Sequence, residues 1–350
     1  MKKILLSITL LSLFIPSLKA QDYNALNKFL KLYSSCDTVW MGKEMPKFNF
    51  DTSLNSNALK GKIVILDYWA TWCSACHSMG KELNEKLTSK YYNDKLQIIG
   101  VNNEHTTHPT TKTSPKEFWK ANGYKYPMVE GKAAVASCEA VKSGFPTVIL
   151  IDPQGNIRGR WDAYDEQVTD MIKLCIWVLM NPNQTYTSQM LTDAMRLHNY
   201  YKGLYICEQL LPNQYDATIK LKCMLHVADW VALDYGNALF EYGQKNLKGD
   251  NYESLLSNMC AEIVEANVLS TDINKLGLKI ANELSSNFEG YKDDYEFLDY
   301  IGRLYWRTGQ KEKAIEIAKQ CIDISEKQKL NKITIDYFKG VLKSYEGNNK

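Results

Sequence analysis

Two cysteines three residues apart, Cys73 and Cys76, are the side chains of this sequence best suited to do chemistry. They lie near the end of residues 62–77, KIVILDYWATWCSACH. A CxxC pair supports reversible dithiol/disulfide exchange when its first sulfur sits at a helix N-terminus. There the unpaired N–H groups and the helix dipole stabilise a thiolate. The second sulfur, one turn on, can close a disulfide on the first. Cys73 would attack a substrate disulfide, and Cys76 would then attack Cys73 and release the product thiol. Other uses of the pattern exist. A tetrahedral zinc site needs about four ligands, usually with a second CxxC or a His pair, and neither follows at knuckle spacing. With His77 the run also spells CxxCH, the haem-attachment pattern. The apolar run and Trp69-Ala70-Thr71-Trp72 in front of it argue for redox use without a cofactor.

The elements that must hold these sulfurs flank them. Ile63-Val64-Ile65-Leu66 is a β-branched apolar run and reads as a buried strand over 62–68. Beyond the cysteines a helical pattern runs over 74–89. The pair therefore sits at a strand-to-helix junction. Further strands are expected at 96–101, 147–151 and 157–161. Ser114-Pro115-Lys116-Glu117 opens a helix with Ser as N-cap and Pro in the first turn. That helix, with 124–129 and 133–142, forms an insertion between core strands, and 165–180 forms a closing helix. Upstream, Leu26, Phe29, Leu30 and Tyr33 recur at helical spacing within 22–35.

These motifs together resemble the thioredoxin superfamily. Asp67, six residues before Cys73, falls where that family keeps a buried acid. Gly144-Phe145-Pro146-Thr147, the strand after it and the turn Asp152-Pro153-Gln154-Gly155-Asn156 match the family's cis-proline loop, strand and hairpin. Met45-Pro46-Lys47-Phe48 and Leu59-Lys60-Gly61-Lys62 resemble the segment leading into the TlpA/ResA branch of extracytoplasmic thioredoxin-like proteins. The resemblance covers residues 38–180. It departs from the family at Ala75, where Pro is usual, and at Met79, where the branch often carries Glu. It implies an α/β thioredoxin-like fold, a central mixed sheet flanked by helices. It also implies Cys73, Cys76, Asp67 and Pro146 as catalytic residues. Asp67 would take the proton of Cys76, with burial raising its pKa toward the working range. A cis Pro146 would pack against the sulfurs and offer the Phe145 backbone to an extended substrate segment. Trp72, Phe145 and Thr147 would contact substrate, and Trp69 would belong to the core. His77 occupies a position where relatives often carry Lys or Arg; the alternative is a solvated histidine in the first turn. Ser-Ala between the cysteines matches neither the Gly-Pro of reducing thioredoxins nor the Pro-His of strong oxidants.

The remaining features bound the protein's class. Lys2 and Lys3, the apolar run 4–15 and Leu18-Lys19-Ala20 read as a secretory signal over 1–20. The run is too short for a membrane span of about twenty residues. With a formal charge of +2 and no basic block, the chain shows no footprint for nucleic acid. The length favours two domains: an N-terminal helix at 21–37, a thioredoxin-like domain at 38–181 and a helical domain at 182–350. Beyond Asn181-Pro182-Asn183-Gln184 the strand signals stop. Helices follow, broken by Gly203, Pro212, Gly249, Gly290, Gly309 and Gly347. Leu298, Ile301, Gly302, Tyr305, Gly309, Ala314 and Ala318 fall on the positions of a tetratricopeptide repeat, with 333–345 as a capping helix. An all-α helical-hairpin domain is expected there.

Seven further cysteines are scattered along the chain: Cys36, Cys138, Cys175, Cys207, Cys223, Cys260 and Cys321. Most are expected to be small buried apolar residues, although Cys138 could approach the active site. Glu104-His105-Thr106-Thr107-His108 follows a strand that opens on the side of Cys73. It reads as a solvated loop, the alternative being a copper or zinc site formed with the thiols. The whole reads as an exported thiol–disulfide oxidoreductase acting on protein dithiols or disulfides. A membrane-bound electron donor or acceptor and a protein partner of the helical domain are its expected partners. The alternatives are a scaffold whose CxxC is structural and an extracytoplasmic metal-handling protein.

Overall fold

The computed structural model describes residues 23–88, 94–102, 104, 114–131 and 144–347. His105, His108, Cys138, the signal segment and the stretch 133–142 lie outside these residues. The described elements form a mixed sheet flanked by helices and, after it, an all-helical region.

The sheet has strands β1 Ile63–Trp69, β2 Leu96–Asn102, β3 Met128–Glu130, β4 Thr147–Ile151 and β5 Ile157–Asp162, in the order β3-β2-β1-β4-β5. β1 pairs parallel with β2 and antiparallel with β4. Every residue of β1 is buried, because the central strand is covered on both faces. Its alternation sorts the side chains. Ile63, Ile65 and Trp69 join the larger apolar cluster, while Val64, Leu66 and Tyr68 pack with Met45, Phe48 and Leu59 on the other face. β3 has only three residues and no strong strand signal of its own.

Helix α1 spans Asn24–Tyr33, α2 Ser74–Glu82, α3 Pro115–Ala121 and α4 Val168–Met180. The expected helix over 74–89 is α-helical only to Glu82 and continues as a π turn, Leu83–Leu87. α3 begins with a reciprocal capping box between Ser114 and Glu117. α1 buries Leu26, Phe29, Leu30 and Tyr33, and it reaches into the helical region. Phe29 meets the Tyr205 ring edge-on, with centroids 5.2 Å apart, and the Tyr33 hydroxyl donates to Glu208 at 2.8 Å.

The helical region comprises α5 Ser188–Arg196, α6 Tyr200–Gln209, α7 Ala217–Val227, α8 Asp229–Asn246, α9 Asp250–Glu265, α10 Thr271–Asn287, α11 Tyr295–Arg307, α12 Lys311–Lys327 and α13 Lys332–Gly347. Side chains of Thr187, Asn199, Asp216, Ser270 and Asp294 cap five of them. Gly203 does not break a helix as expected; it lies inside α6. A Cβ there would meet Cys223 Sγ at 3.0 Å and Met195 Sδ at 3.1 Å, so the glycine serves a close approach of neighbouring helices. One apolar cluster runs from the sheet face through α4 and on into α6–α11. The change at residue 181 is thus a change of architecture within a continuous core. Among the described residues, no helix is long and apolar enough to cross a membrane.

Candidate active site

The site forms where β1 hands the chain to α2. Cys73 is the N-cap of α2 and is joined to Cys76 as a disulfide. The Cys76 N–H donates to Cys73 Sγ at 3.2 Å, so the helix terminus is already directed at that sulfur. Cys73 is 7% exposed and Cys76 2%; the first sulfur is the more accessible of a largely covered pair.

Asp67 lies on β1 with its side chain on the sheet face that α2 covers. It is fully buried, and Tyr126 Oη donates to its Oδ2 at 3.0 Å. Burial pushes the carboxyl up to about 7, against the opposing pull of the Tyr126 hydrogen bond. Across the sheet, the Phe145–Pro146 peptide is cis. Trp72 stands 46% exposed and meets Phe145 edge-on, with centroids 5.6 Å apart. These two rings form an apolar strip beside the disulfide.

Thr147, expected to contact substrate, has its side chain turned inward. It is fully buried, and its hydroxyl is bonded to the Gly144 carbonyl and to Asp162 Oδ1, both at 3.0 Å. Its backbone is already in the sheet, paired with Tyr68 and Asp162. The side chain braces the cis-proline loop from within. Trp69 is buried in the core.

His77 is half-buried, and its ring is engaged on the protein. Its Nε2 lies 3.0 Å from the Thr71 carbonyl oxygen, and its ring packs tilted against Phe118, with centroids 4.4 Å apart. A carbonyl only accepts, so Nε2 carries the hydrogen. Met79 is fully buried.

Glu104 is the site residue that sequence reasoning placed wrongly, as part of a solvated loop. It is fully buried, and its carboxylate accepts from the Thr71 N–H and the Thr71 hydroxyl, both at 2.7 Å. Asn102 donates to it at 3.1 Å. The end of β2 thereby clamps the turn that presents Trp72 and Cys73. The signal available was the asparagine-acid pair directly after an apolar strand. Among the described residues no group of three or more His, Cys, Asp or Glu could hold a metal ion.

The other described cysteines have a different setting. Cys36, Cys175, Cys207, Cys223, Cys260 and Cys321 are unpaired and buried. Burial pushes the thiols of Cys36, Cys207, Cys260 and Cys321 up to about 12, and those of Cys175 and Cys223 well above the ordinary range.

A family model described as AhpC/TSA family matches residues 41–160. Thioredoxin-like protein YneN of Bacillus subtilis (strain 168) is 30% identical over 121 residues, which cover 33% of this chain and 68% of that protein. The thiol-disulfide oxidoreductase ResA of Bacillus cereus (strain ATCC 10987 / NRS 248) is 30% identical over 134 residues, covering 36% of this chain and 71% of ResA. Among solved structures, a thiol:disulfide interchange protein of the thioredoxin family from Chlorobium tepidum TLS aligns with a TM-score of 0.33 and 21% identity. That alignment spans 38% of this chain and 95% of the other.

Proposed function

This chain belongs to the thioredoxin-like AhpC/TSA family and is a thiol-disulfide oxidoreductase; we propose that it is exported and exchanges its Cys73–Cys76 pair with protein substrates. The observation that carries this reading is a disulfide capping a helix N-terminus, on the sheet face that also holds a buried carboxyl.

Starting from the reduced pair, the Cys73 thiolate attacks a substrate disulfide. One substrate sulfur leaves, and a mixed disulfide forms on Cys73. Asp67 takes the proton of Cys76. The new thiolate attacks Cys73, the bond to substrate breaks, and the second substrate sulfur leaves and is protonated. Two electrons have passed from the pair to the substrate. Run backwards, the same steps oxidise a substrate dithiol. Pro146, Phe145 and Trp72 form the strip along which an extended substrate segment lies. A membrane-bound dithiol or disulfide partner restores the pair, and the basic-apolar N-terminal sequence supports an extracytoplasmic location.

The helical region is read as a tetratricopeptide-like docking module over 182–350, following a thioredoxin-like domain over 38–181. Its support is the α11–α13 unit. A Cβ on Gly302 would lie 3.2 Å from Ile317, Ala314 and Ala318 are buried, and α13 caps the end by stacking Tyr345 on Trp306 at 4.6 Å.

The test of function is dithiol-dependent insulin reduction. Cys73→Ser should abolish it, and Cys76→Ser should accumulate mixed disulfides on Cys73. Activity that survives Cys73→Ser removes the mechanism. The docking role is tested by comparing proteins captured by the Cys76→Ser trap with and without the residues after Asn181. In the shortened form Phe29 and Trp177 are made polar, because the helices removed would otherwise cover them. An identical captured set ends the docking role.

A further inference from the structure

Asp67 has two carboxyl oxygens with unequal surroundings. Oδ2 accepts the Tyr126 hydroxyl at 3.0 Å, whereas Oδ1 is buried and bonds to none of the described residues. Tyr126 is itself held firmly. The Trp119 indole Nε1 donates to its carbonyl at 2.9 Å, and the Trp119 ring meets the Tyr126 ring edge-on at 4.9 Å. Room for that indole comes from Gly100, the β2 residue level with Asp67; a Cβ there would fall 2.3 Å from the Trp119 ring. The tyrosine also borders the redox helix. A Cβ on Gly80 would lie 3.5 Å from Tyr126 Oη, and Gly80 shares a helix face with Cys76 four residues earlier.

We propose that Tyr126 is a positioning residue for disulfide resolution: its hydroxyl fixes one oxygen of Asp67 and leaves the other to take the proton of Cys76. This rests on the reading of Asp67 as the base. The step is balanced. The Cys76 S–H bond breaks and an Asp67 Oδ1–H bond forms. The Cys76–Cys73 bond replaces the Cys73–substrate bond, and the proton later passes to solvent. A hydrogen bond donated to a carboxylate favours its charged form, which is the form that can accept. Burial acts in the opposite direction, and the balance sits near neutral pH. Tyr126 and Tyr124, from the segment entering β3, face Asp67, and Cys76 lies on α2, which covers the same sheet face. The sheet neighbours, Gly100 on β2 and Val148 on β4, carry no charge.

The test uses the full chain in a Cys138→Ser background, reduced and reacted with 5,5′-dithiobis(2-nitrobenzoate). The first thionitrobenzoate marks attack by Cys73, and the second marks resolution by Cys76. Tyr126→Phe should move the acidic limb of the second step upward by about one pH unit, a roughly tenfold loss below the limb with the alkaline plateau retained. Tyr124→Phe, which removes the neighbouring hydroxyl, should leave the limb in place. 3-Fluorotyrosine at position 126, a stronger donor of nearly the same shape, should move it downward. A limb unmoved by both changes at Tyr126, or a rate lowered equally at every pH, overturns the inference. Asp67→Asn separates the two levels. If it abolishes the limb while Tyr126→Phe does not shift it, Tyr126 alone is excluded. If Asp67→Asn leaves the limb untouched, the base assignment fails and this inference with it.

Discussion

At the sheet end of the molecule, Cys73 and Cys76 cap a helix and are bonded to each other. In the helical region, Cys207, Cys223, Cys260 and Cys321 lie among apolar neighbours with thiols held protonated by burial. All six residues are nearly inaccessible, so exposure alone does not distinguish them. What differs is the polar frame. The redox pair has a helix terminus aimed at one sulfur, a buried acid on the same sheet face and a Glu104 clamp on the turn in front. The helical cysteines make only weak thiol contacts, such as the Cys223 thiol to Met195 Sδ at 3.5 Å and the Cys321 thiol to the Tyr295 carbonyl at 3.6 Å. Reactivity here comes from groups arranged to stabilise a charge, and a buried thiol without them behaves as a small apolar side chain.

This contrast can be broken at several points. The largest effect belongs to the redox pair: Cys73→Ser should reduce insulin turnover to the uncatalysed level, while Cys260→Ala or Cys321→Ala should leave it near wild type. An equal loss in either helical variant would put the difference elsewhere.

Next is the buried acid. A carboxyl raised from 3.8 to about 7 favours the folded state when protonated. Its contribution is complete below pH ~4 and is lost as pH rises through about 7, for up to about 4 kcal/mol. Urea midpoints should therefore show wild type losing stability relative to Asp67→Asn across that window. A constant difference between the two would mean that Asp67 is not protonated in the folded protein.

In the helical core, Leu284 is fully buried on α10. Leu284→Ala should cost about 2–5 kcal/mol and leave insulin reduction per folded molecule unchanged, as read from thermal melts and activity on the same sample. Glu104→Gln should show the opposite pattern. It weakens an acceptor for the half-buried Thr71 groups, worth about 1–3 kcal/mol, so turnover should fall roughly tenfold while far-UV circular dichroism is unchanged. A normal rate in Glu104→Gln would remove the clamp from the account.

Much of the scaffold was legible in the sequence because its signals are local. The run Ile63-Val64-Ile65-Leu66 marks β1, Ser114 and Glu117 announce a capped helix, and Leu26, Phe29, Leu30 and Tyr33 trace one helix face. The parts that escaped depend on distant partners. Tyr126 reaches Asp67 across 59 residues and Glu104 reaches Thr71 across 33; a local pattern can hint that Glu104 is buried, but neither local sequence names its partner. The bond from the Thr147 hydroxyl across the hairpin to Asp162 was hidden for a related reason, since its partner lies 15 residues on. Gly203 resembled a helix breaker until the close approach of Cys223 gave it a structural reason. The N-terminal helix was readable as a helix, but its packing on Tyr205 was not.

The most direct test of the contrast is the order in which cysteines alkylate. The reduced, folded protein is treated with iodoacetamide at neutral pH, and each site is followed by mass spectrometry over time. The predicted result is rapid modification of Cys73, slower modification of Cys76, and none at Cys36, Cys175, Cys207, Cys223, Cys260 or Cys321 until denaturant is added. Any helical cysteine reacting as fast as Cys73 in the folded protein would contradict the claim that the polar frame at the start of α2 makes this pair the redox centre.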